Sequence, residues 1–479
     1  MKSKEKTPLF DALIKHREKE SFSFHVPGHK NGRIFNHWGK HIFDPVLSID
    51  LTELTGLDDL HDPGGPILEA EQLLADLYGS QKSYFLVNGS TSGNIAMILA
   101  ACEEGDTVLV QRNCHKSVLH GLMLANVKPV FISPDIDEQL EIAGSVTVSA
   151  VKEAIGLYPE TKAIVLTYPT YYGTGSAVSE IISLAHQHSI PVLVDEAHGA
   201  HFCLGAPFPE SALAAGADVV VHSAHKTLPA MTMGSFLHYS SELIDSSKLE
   251  FCLQMLQSSS PSYPIMASLD LSRAYLATYS QDDIEALKQA VDGFKGELNS
   301  ISGIHVAESK SGNSDLLKLI IRSEKGHSGF QLQQILESEG IFTELADVRN
   351  VLMVLPLIKK DSDFPFRETL MRVERAVKNS EEAEGHVSSG SHFQEQTIQP
   401  LALTYQQMKK GQKKLTALND CLGEISAEMI TPYPPGIPLI MPGEKITAGK
   451  IKSMEELLRK GGRFHGGPEL ESGQLWIYE

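Results

Sequence analysis

No stretch of the 479 residues stays apolar for the roughly 20 residues that a bilayer-crossing helix requires. The amino terminus, MKSKEKTPLFDALIKHREKE, alternates charge with single apolar residues and lacks the unbroken apolar core of a secretory signal. A cytoplasmic protein is therefore the expectation. Cysteine is scarce: the five present are odd in number, widely spaced and never in a C-x-x-C pair, which argues against a disulfide framework and a zinc site. Positive charge is also short, since 41 Lys and Arg against 60 Asp and Glu leave a net charge of −19. Such a surface repels phosphate backbones and anionic lipid, so neither nucleic acid nor a membrane is an expected partner. A G-x-x-x-x-G-K-[ST] loop is missing too, because GEKITAGK (443–450) has the wrong spacing.

What is present is an ordinary globular composition, 42% hydrophobic and 21% charged, in a chain long enough for several domains or one large α/β domain with an appendage. From about Gln81, short β-branched or aromatic runs alternate with helical stretches. YFLV, TVLV, PVFI, AIVLTY, PVLVD and DVVVHS are separated by segments such as NIAMILAA, KSVLHGLMLA, SAVKEAIGLY and SEIISLAHQH. Near-continuous apolar strands in strand–helix–strand order predict a mostly parallel sheet covered by helices on both faces. All strand carboxyl ends then share one edge, where ligands of such sheets bind. That edge would carry Asn88–Gly93, Asn113–His115, Thr170–Tyr172, Asp195–His198 and Ser223–Lys226.

Beyond about Ser280 the texture changes to a long amphipathic helix, then LLKLIIR, FQLQQILESEG and VLMVLPLI, which predict a smaller α+β unit. The charged, Ser- and Gly-rich interval 378–396 is the best linker candidate, and TPYPPGIPLIMPGE (431–444) is too rich in proline for a helix or a central strand.

GSTSG (89–93), between a strand and a helix, would turn backbone N–H groups and hydroxyls toward an anion, although it equally fits a capped helix with a glycine turn. DEAHGAH (195–201) places a carboxylate at a buried strand end; without a phosphate loop it is no helicase Mg²⁺ site, and His198 and His201 lack a third zinc ligand. Lys226, in HSAHKTLPAMTMGS after the apolar run ADVVV, is the unusual cation. An ammonium in apolar surroundings loses solvation, its pKa falls and it becomes a nucleophilic amine able to form a Schiff base.

Lys226 in S-A-H-K, Asp195 in D-E-A-H, His115 in C-H-K-S and the GSTSG loop together resemble the pyridoxal 5'-phosphate (PLP) enzymes of the aspartate aminotransferase fold type, fold type I. More narrowly the chain resembles the ornithine/lysine/arginine decarboxylase family. Its further marks occur as FHVPGHKNG (24–32), TELTGLDDLHDPGGPI (52–67), PTYYG (169–173), SSSPSYPIMASLD (258–270) and TPYPPGIP (431–438). Longer bacterial members carry a preceding response-regulator-like domain, and this chain looks like the shorter branch.

The resemblance implies an N-terminal segment (1–50) packing at the active site and dimer interface, a large PLP-binding domain (51–300) and a C-terminal α+β domain (301–479). It implies Lys226 as the Schiff-base lysine, Asp195 as partner of the pyridine nitrogen, and His115 and Ala197 on the two ring faces. Ser90, Thr91, Ser92, Ser223 and His225 would hold the phosphate, and His198 would face the ring oxygen. Ser258 and Ser260 would reach the phosphate of a neighbouring subunit, so a homodimer with shared sites is the minimum assembly.

The implied reaction is decarboxylation of a basic amino acid, arginine to agmatine or lysine to cadaverine, through a Schiff base and a quinonoid. Asp58, Asp59, Glu344, Glu424 and Glu428 are candidates for holding the substrate's distal cation. An aminotransferase would instead need an arginine in the pocket, for which Arg112, Arg273 and Arg349 are available. An aldolase, a carbon–sulfur lyase or a non-catalytic PLP-binding regulator are the other readings.

Overall fold

The computed structural model describes residues 3–175, 177–309, 313–383, 397–433, 437–459 and 463–479. Most of the expected linker (384–396) and residues 434–436 of the proline-rich segment lie outside these.

The apolar runs form one eight-stranded sheet in the order Lys82–Leu86, Ser235–Tyr239, Val219–His222, Val192–Asp195, Ala163–Thr167, Thr107–Gln111, Lys128–Ile132 and Ile398–Pro400. The five strands from Val219–His222 to Lys128–Ile132 pair in parallel. Alternate residues serve two cores: Leu109, Ile164, Val192, Val194 and Val220 face one, and Val108, Val110, Val165, Leu193 and Val221 face the other. Burial on both faces explains why these strands read as unbroken apolar runs. Helices Gly89–Ala101, Lys116–Ala125 and Ser246–Leu256 cover the second face, and Pro66–Tyr78, Val148–Leu157, Val178–Gln187 and Tyr263–Ala277 contribute to the first core.

Two strands depart from the expected alternation. Ser235–Tyr239 enters antiparallel between Lys82–Leu86 and Val219–His222. Its connection contains only the single helical turn Ala224–Thr227, too little for a parallel crossover. The edge strand Ile398–Pro400, antiparallel to Lys128–Ile132, returns from the far carboxyl-terminal region.

Beyond the long helix Gln281–Ser300 a second sheet, wholly antiparallel, orders Ile304–Ala307, Lys318–Ser323, Val351–Val354 and Leu345–Ala346. A further three-stranded sheet of Lys413–Ala417, Gln474–Tyr478 and Ile425–Ser426 packs on its own core of Leu418, Cys421, Ile430, Ile440, Ile446 and Met454. Among the described residues Thr431–Tyr433, in the proline-rich segment, pairs with Arg463–His465 alone, consistent with its exclusion from a central strand.

One buried acid ties the helix Pro66–Tyr78 to the sheet. Glu71 accepts the Phe85 N–H at 2.9 Å, and burial pushes its pKa up to about 8, the Phe85 bond acting against that rise. Its folded value lies above the ordinary 4.5, so the stability it lends is complete below that pH and is lost as pH rises through about 8. Glu71→Gln keeps an acceptor for Phe85 without the charge. We expect it to melt at least about 2 °C above the parent at pH 9 and alike at pH 4.5, by calorimetry; an unaltered pH dependence would contradict this.

Candidate active site

The carboxyl edge of the parallel strands opens into a cavity of about 540 Å³. Its lining includes Ser90, His115, Thr167, Tyr171, Asp195, Ala197, His198 and Lys226, drawn from segments that only the sheet brings together. Met429, Thr431, Pro438 and His465 close it from the carboxyl-terminal unit.

Asp195 ends its strand only 3% exposed. Its Oδ2 accepts Asn94 Nδ2 at 2.9 Å, while its Oδ1, also buried, has no hydrogen-bond partner. Burial raises its pKa; Lys226 and His115 pull against that. Across the parallel pairing from Asp195, Thr167 leaves its own buried Oγ1 unpartnered. Two unsatisfied polar atoms side by side at a cavity wall mark a place built for a ligand, since buried polar groups are otherwise paired.

Asn94 also donates to Ser117 Oγ at 2.9 Å, and that hydroxyl lies 2.8 Å from His115 Nδ1. Nδ1 accepts the Ser117 N–H at 3.2 Å as well, so His115 caps the helix Lys116–Ala125. Burial lowers the His115 pKa, leaving a neutral ring whose proton is on Nε2.

Lys226 lies in the turn Ala224–Thr227, and its Nζ is 3.1 Å from His198 Nε2. Burial lowers its pKa as the sequence argument anticipated, with Asp195 and Glu344 opposing. On the other side of His198, Lys318 Nζ lies 3.0 Å from Nδ1. Burial holds His198 well below its ordinary value, and Lys318 adds to the effect.

The helix Gly89–Ala101 points its amino terminus at the same region. Gly93 lets it press on the sheet, because a Cβ there would come 2.7 Å from Leu86 Cδ1 and 3.0 Å from Val221 Cγ1. Ser90 lines the cavity, and buried Ser223 donates to its Oγ at 2.7 Å. The remaining expected phosphate residues stand differently. Ser92 spends its hydroxyl on the Gly89 carbonyl at 2.8 Å, Thr91 is exposed, and one His225 ring nitrogen bonds the Gly234 carbonyl at 3.0 Å. Ser258 and Ser260 bond each other outside this cavity, the Ser258 N–H reaching Asn88 Oδ1 at 3.5 Å.

The expected distal-group acids do not line the cavity of this chain. Asp58 is instead a helix anchor, accepting the N–H groups of Gly64 at 2.8 Å, Gly65 at 2.7 Å and Ile67 at 3.1 Å. Asp59 accepts the His61 N–H at 2.8 Å, Glu428 accepts the Trp476 N–H at 2.9 Å, and Glu424 is exposed. Glu344 adjoins the cavity through Tyr171, whose hydroxyl donates to it at 2.6 Å.

No arginine is among the described lining residues. Arg112 is paired with Glu444, Arg273 with Asp270, and Arg349 with Glu141. Asn94, Ser117, Thr167 and Lys318 were not anticipated. Lys318 had a legible signal, a cation interrupting the apolar run LLKLII.

A parallel sheet presenting a buried amine and an unsatisfied buried carboxylate at its carboxyl edge has the architecture of the fold type I enzymes, as the motifs implied. The family model described as Orn/Lys/Arg decarboxylase, major domain, matches residues 7–316, and that for the C-terminal domain matches 386–465. The chain is 47% identical over 476 residues to uncharacterized protein YaaO of Bacillus subtilis, with 98% of each chain covered. It is 34% identical to an arginine decarboxylase of the same organism, covering 96% of this chain and 95% of that one. The structure of the Escherichia coli constitutive lysine decarboxylase superposes with a TM-score of 0.77 at 21% identity, covering 99% of this chain and 82% of that one. The chain belongs to the Orn/Lys/Arg decarboxylase family, and is an amino acid decarboxylase.

Proposed function

We propose that the protein decarboxylates a basic amino acid, arginine first and lysine second, with PLP held at Lys226. The observation that carries this reading is the unpartnered Oδ1 of buried Asp195, in the same cavity as the Lys226 amine and with no arginine in the described lining. A pyridine N–H satisfies that oxygen, so the residues present fit the cofactor. PLP, when bound, supplies an electron sink for the pair left at Cα as a bond breaks.

The chain's own groups do the rest. Lys226 provides the tethering amine, and Asp195 holds the ring proton by charge. His115 and Ala197 border the ring space, while Ser90, backed by Ser223, and the N–H groups opening the helix Gly89–Ala101 receive the phosphate. Among the described lining residues of this chain, no arginine offers the in-plane grip on the α-carboxylate that transamination uses.

Glu344, which acts electrostatically on Lys226 and Lys318, is the candidate acid for the distal cation. Two copies of the chain sharing sites, with Ser258 and Ser260 reaching the neighbour, fits the apolar side chains bared at the amino-terminal segment. Phe24 is 95% exposed and Trp38 78%. Protein monomeric at micromolar concentration in sedimentation would contradict the shared-site assembly.

The test is an amino acid panel scored for CO₂ with product identification, expected to show agmatine from arginine or cadaverine from lysine. The purified protein should be yellow, and Lys226→Ala should lose the absorption band with all measurable turnover. Consumption of an unrelated amino acid, or an unchanged band in the variant, would overturn the reading.

A further inference from the structure

Lys318 opens a strand of the second sheet, far from the carboxyl edge in sequence, yet it is only 6% exposed and forms no salt bridge among the described residues. Its Nζ is directed to His198 Nδ1 at 3.0 Å, across 120 residues of chain. The turn PTYYG makes room for it: Gly173 has φ +84°, and a Cβ there would lie 2.4 Å from Lys318 Cγ. The stem is thus clamped against a backbone that tolerates no side chain. The other nitrogen of His198 faces Lys226 Nζ at 3.1 Å.

A neutral imidazole has one acceptor nitrogen and one N–H, so two ammonium groups cannot both donate to it. With contacts on both sides, the lysine that faces the ring N–H has to be the neutral amine, and only the other can be a cation. The surrounding charges decide which. Asp195 and Glu344 act on Lys226, Asp315 and Glu344 act on Lys318, and His115 and His201 adjoin His198. Asp315 is buried, its Oδ1 held by His201 at 2.9 Å and by the Leu317 N–H at 3.0 Å, and its Oδ2 has no hydrogen-bond partner. Asp195, in the reading above, on which this choice rests, is answered by the cofactor ring.

We infer that Lys318 is a positioning residue of the active site: its ammonium donates to His198 Nδ1, leaves Nε2 as the nitrogen that carries the proton, and so turns a hydrogen-bond donor toward the Lys226 amine. The nitrogen of residue 226, as a free amine or as the tether of the cofactor, then takes up a proton less readily, because of the donor it faces and the cation behind it. Burial brings the Lys318 pKa down to about 8, so the arrangement holds at neutral pH and is lost as pH rises through that value.

The test is ¹⁵N NMR of the full chain labelled at histidine, His198 being assigned from the resonance missing in His198→Gln. Samples are taken as purified and after any bound aldehyde is removed. Wild type should carry the proton on Nε2 at pH 7 and show a mixture of tautomers at pH 9.5. Lys318→Arg should hold the Nε2 form at both values, and Lys318→Met at neither. In cofactor-loaded protein the pH at which the absorption band changes should rise by about one unit in Lys318→Met and stay put in Lys318→Arg.

Wild type protonated on Nδ1 at pH 7 would overturn the inference even if no variant folds. So would a Met variant with an unchanged tautomer. Absence of any chromophore would instead sink the PLP reading, while the tautomer measurement still stands or falls separately.

Discussion

With PLP tethered at Lys226 as proposed, Asp195→Asn is expected to lower kcat on the order of 10³-fold while the cofactor stays bound. Asn94 donates its amide N–H to Oδ2 of residue 195, so an asparagine there turns its own oxygen toward Asn94. The atom replacing the unpartnered Oδ1 is then an NH₂ group, which cannot accept from a protonated ring nitrogen. Loss of the carboxylate removes both acceptor and charge, and with them the electron sink. Cofactor content follows from absorbance after alkaline release, and turnover from CO₂ evolution. Near-stoichiometric cofactor with kcat within tenfold of wild type would show that Asp195 does not govern the ring.

The largest expected loss of stability is at Glu444, away from the cavity. Its carboxylate accepts Arg112 at 2.5 and 2.8 Å, Lys450 at 2.9 Å and the Met441 N–H at 3.0 Å, all of these side chains being buried. Burial opposes its ionisation, yet Arg112 and Lys450 hold its pKa below the ordinary carboxylate value. Arg112 immediately follows the strand Thr107–Gln111 and also donates to the Pro438 carbonyl at 2.7 Å, so this cluster fastens the carboxyl-terminal unit to the main sheet. Glu444→Ala strands two buried cations and should cost about 3–5 kcal/mol in urea unfolding. The triple replacement Arg112→Met, Glu444→Leu and Lys450→Met should recover most of that loss, because burying three apolar side chains removes the unpaired charges. A single alanine variant unfolding within 1 kcal/mol of the parent, as an order-of-magnitude bound, would show that the cluster does not fasten the two units.

Lys226, Asp195 and the apolar strands up to Val219–His222 stand out along the chain because the signals are local. A run buried on both faces has to be apolar throughout, and a cation or carboxylate at its end stands out. The antiparallel entry of Ser235–Tyr239 was less visible, since strand direction depends on the length of a connection whose single helical turn resembles any other turn. Asp58 carries a contact that the chain does not announce: the backbone N–H groups of Gly64, Gly65 and Ile67 converge on it at the start of a helix. Donors separated in sequence from their acceptor leave no mark on composition or periodicity.

By itself, then, the chain determined a doubly covered parallel sheet with polar residues, Lys226 and Asp195 among them, gathered along its carboxyl ends. These follow from hydrophobic burial with a period set by the backbone, which each segment carries whatever its neighbours do. Tertiary structure alone decided that Lys318 meets His198, that Arg112 is consumed by Glu444 and that Asp195 retains one unpaired oxygen. Each of these is a matter of which charges meet after desolvation. That meeting depends on the packing of three separate sheets, and no single segment encodes it.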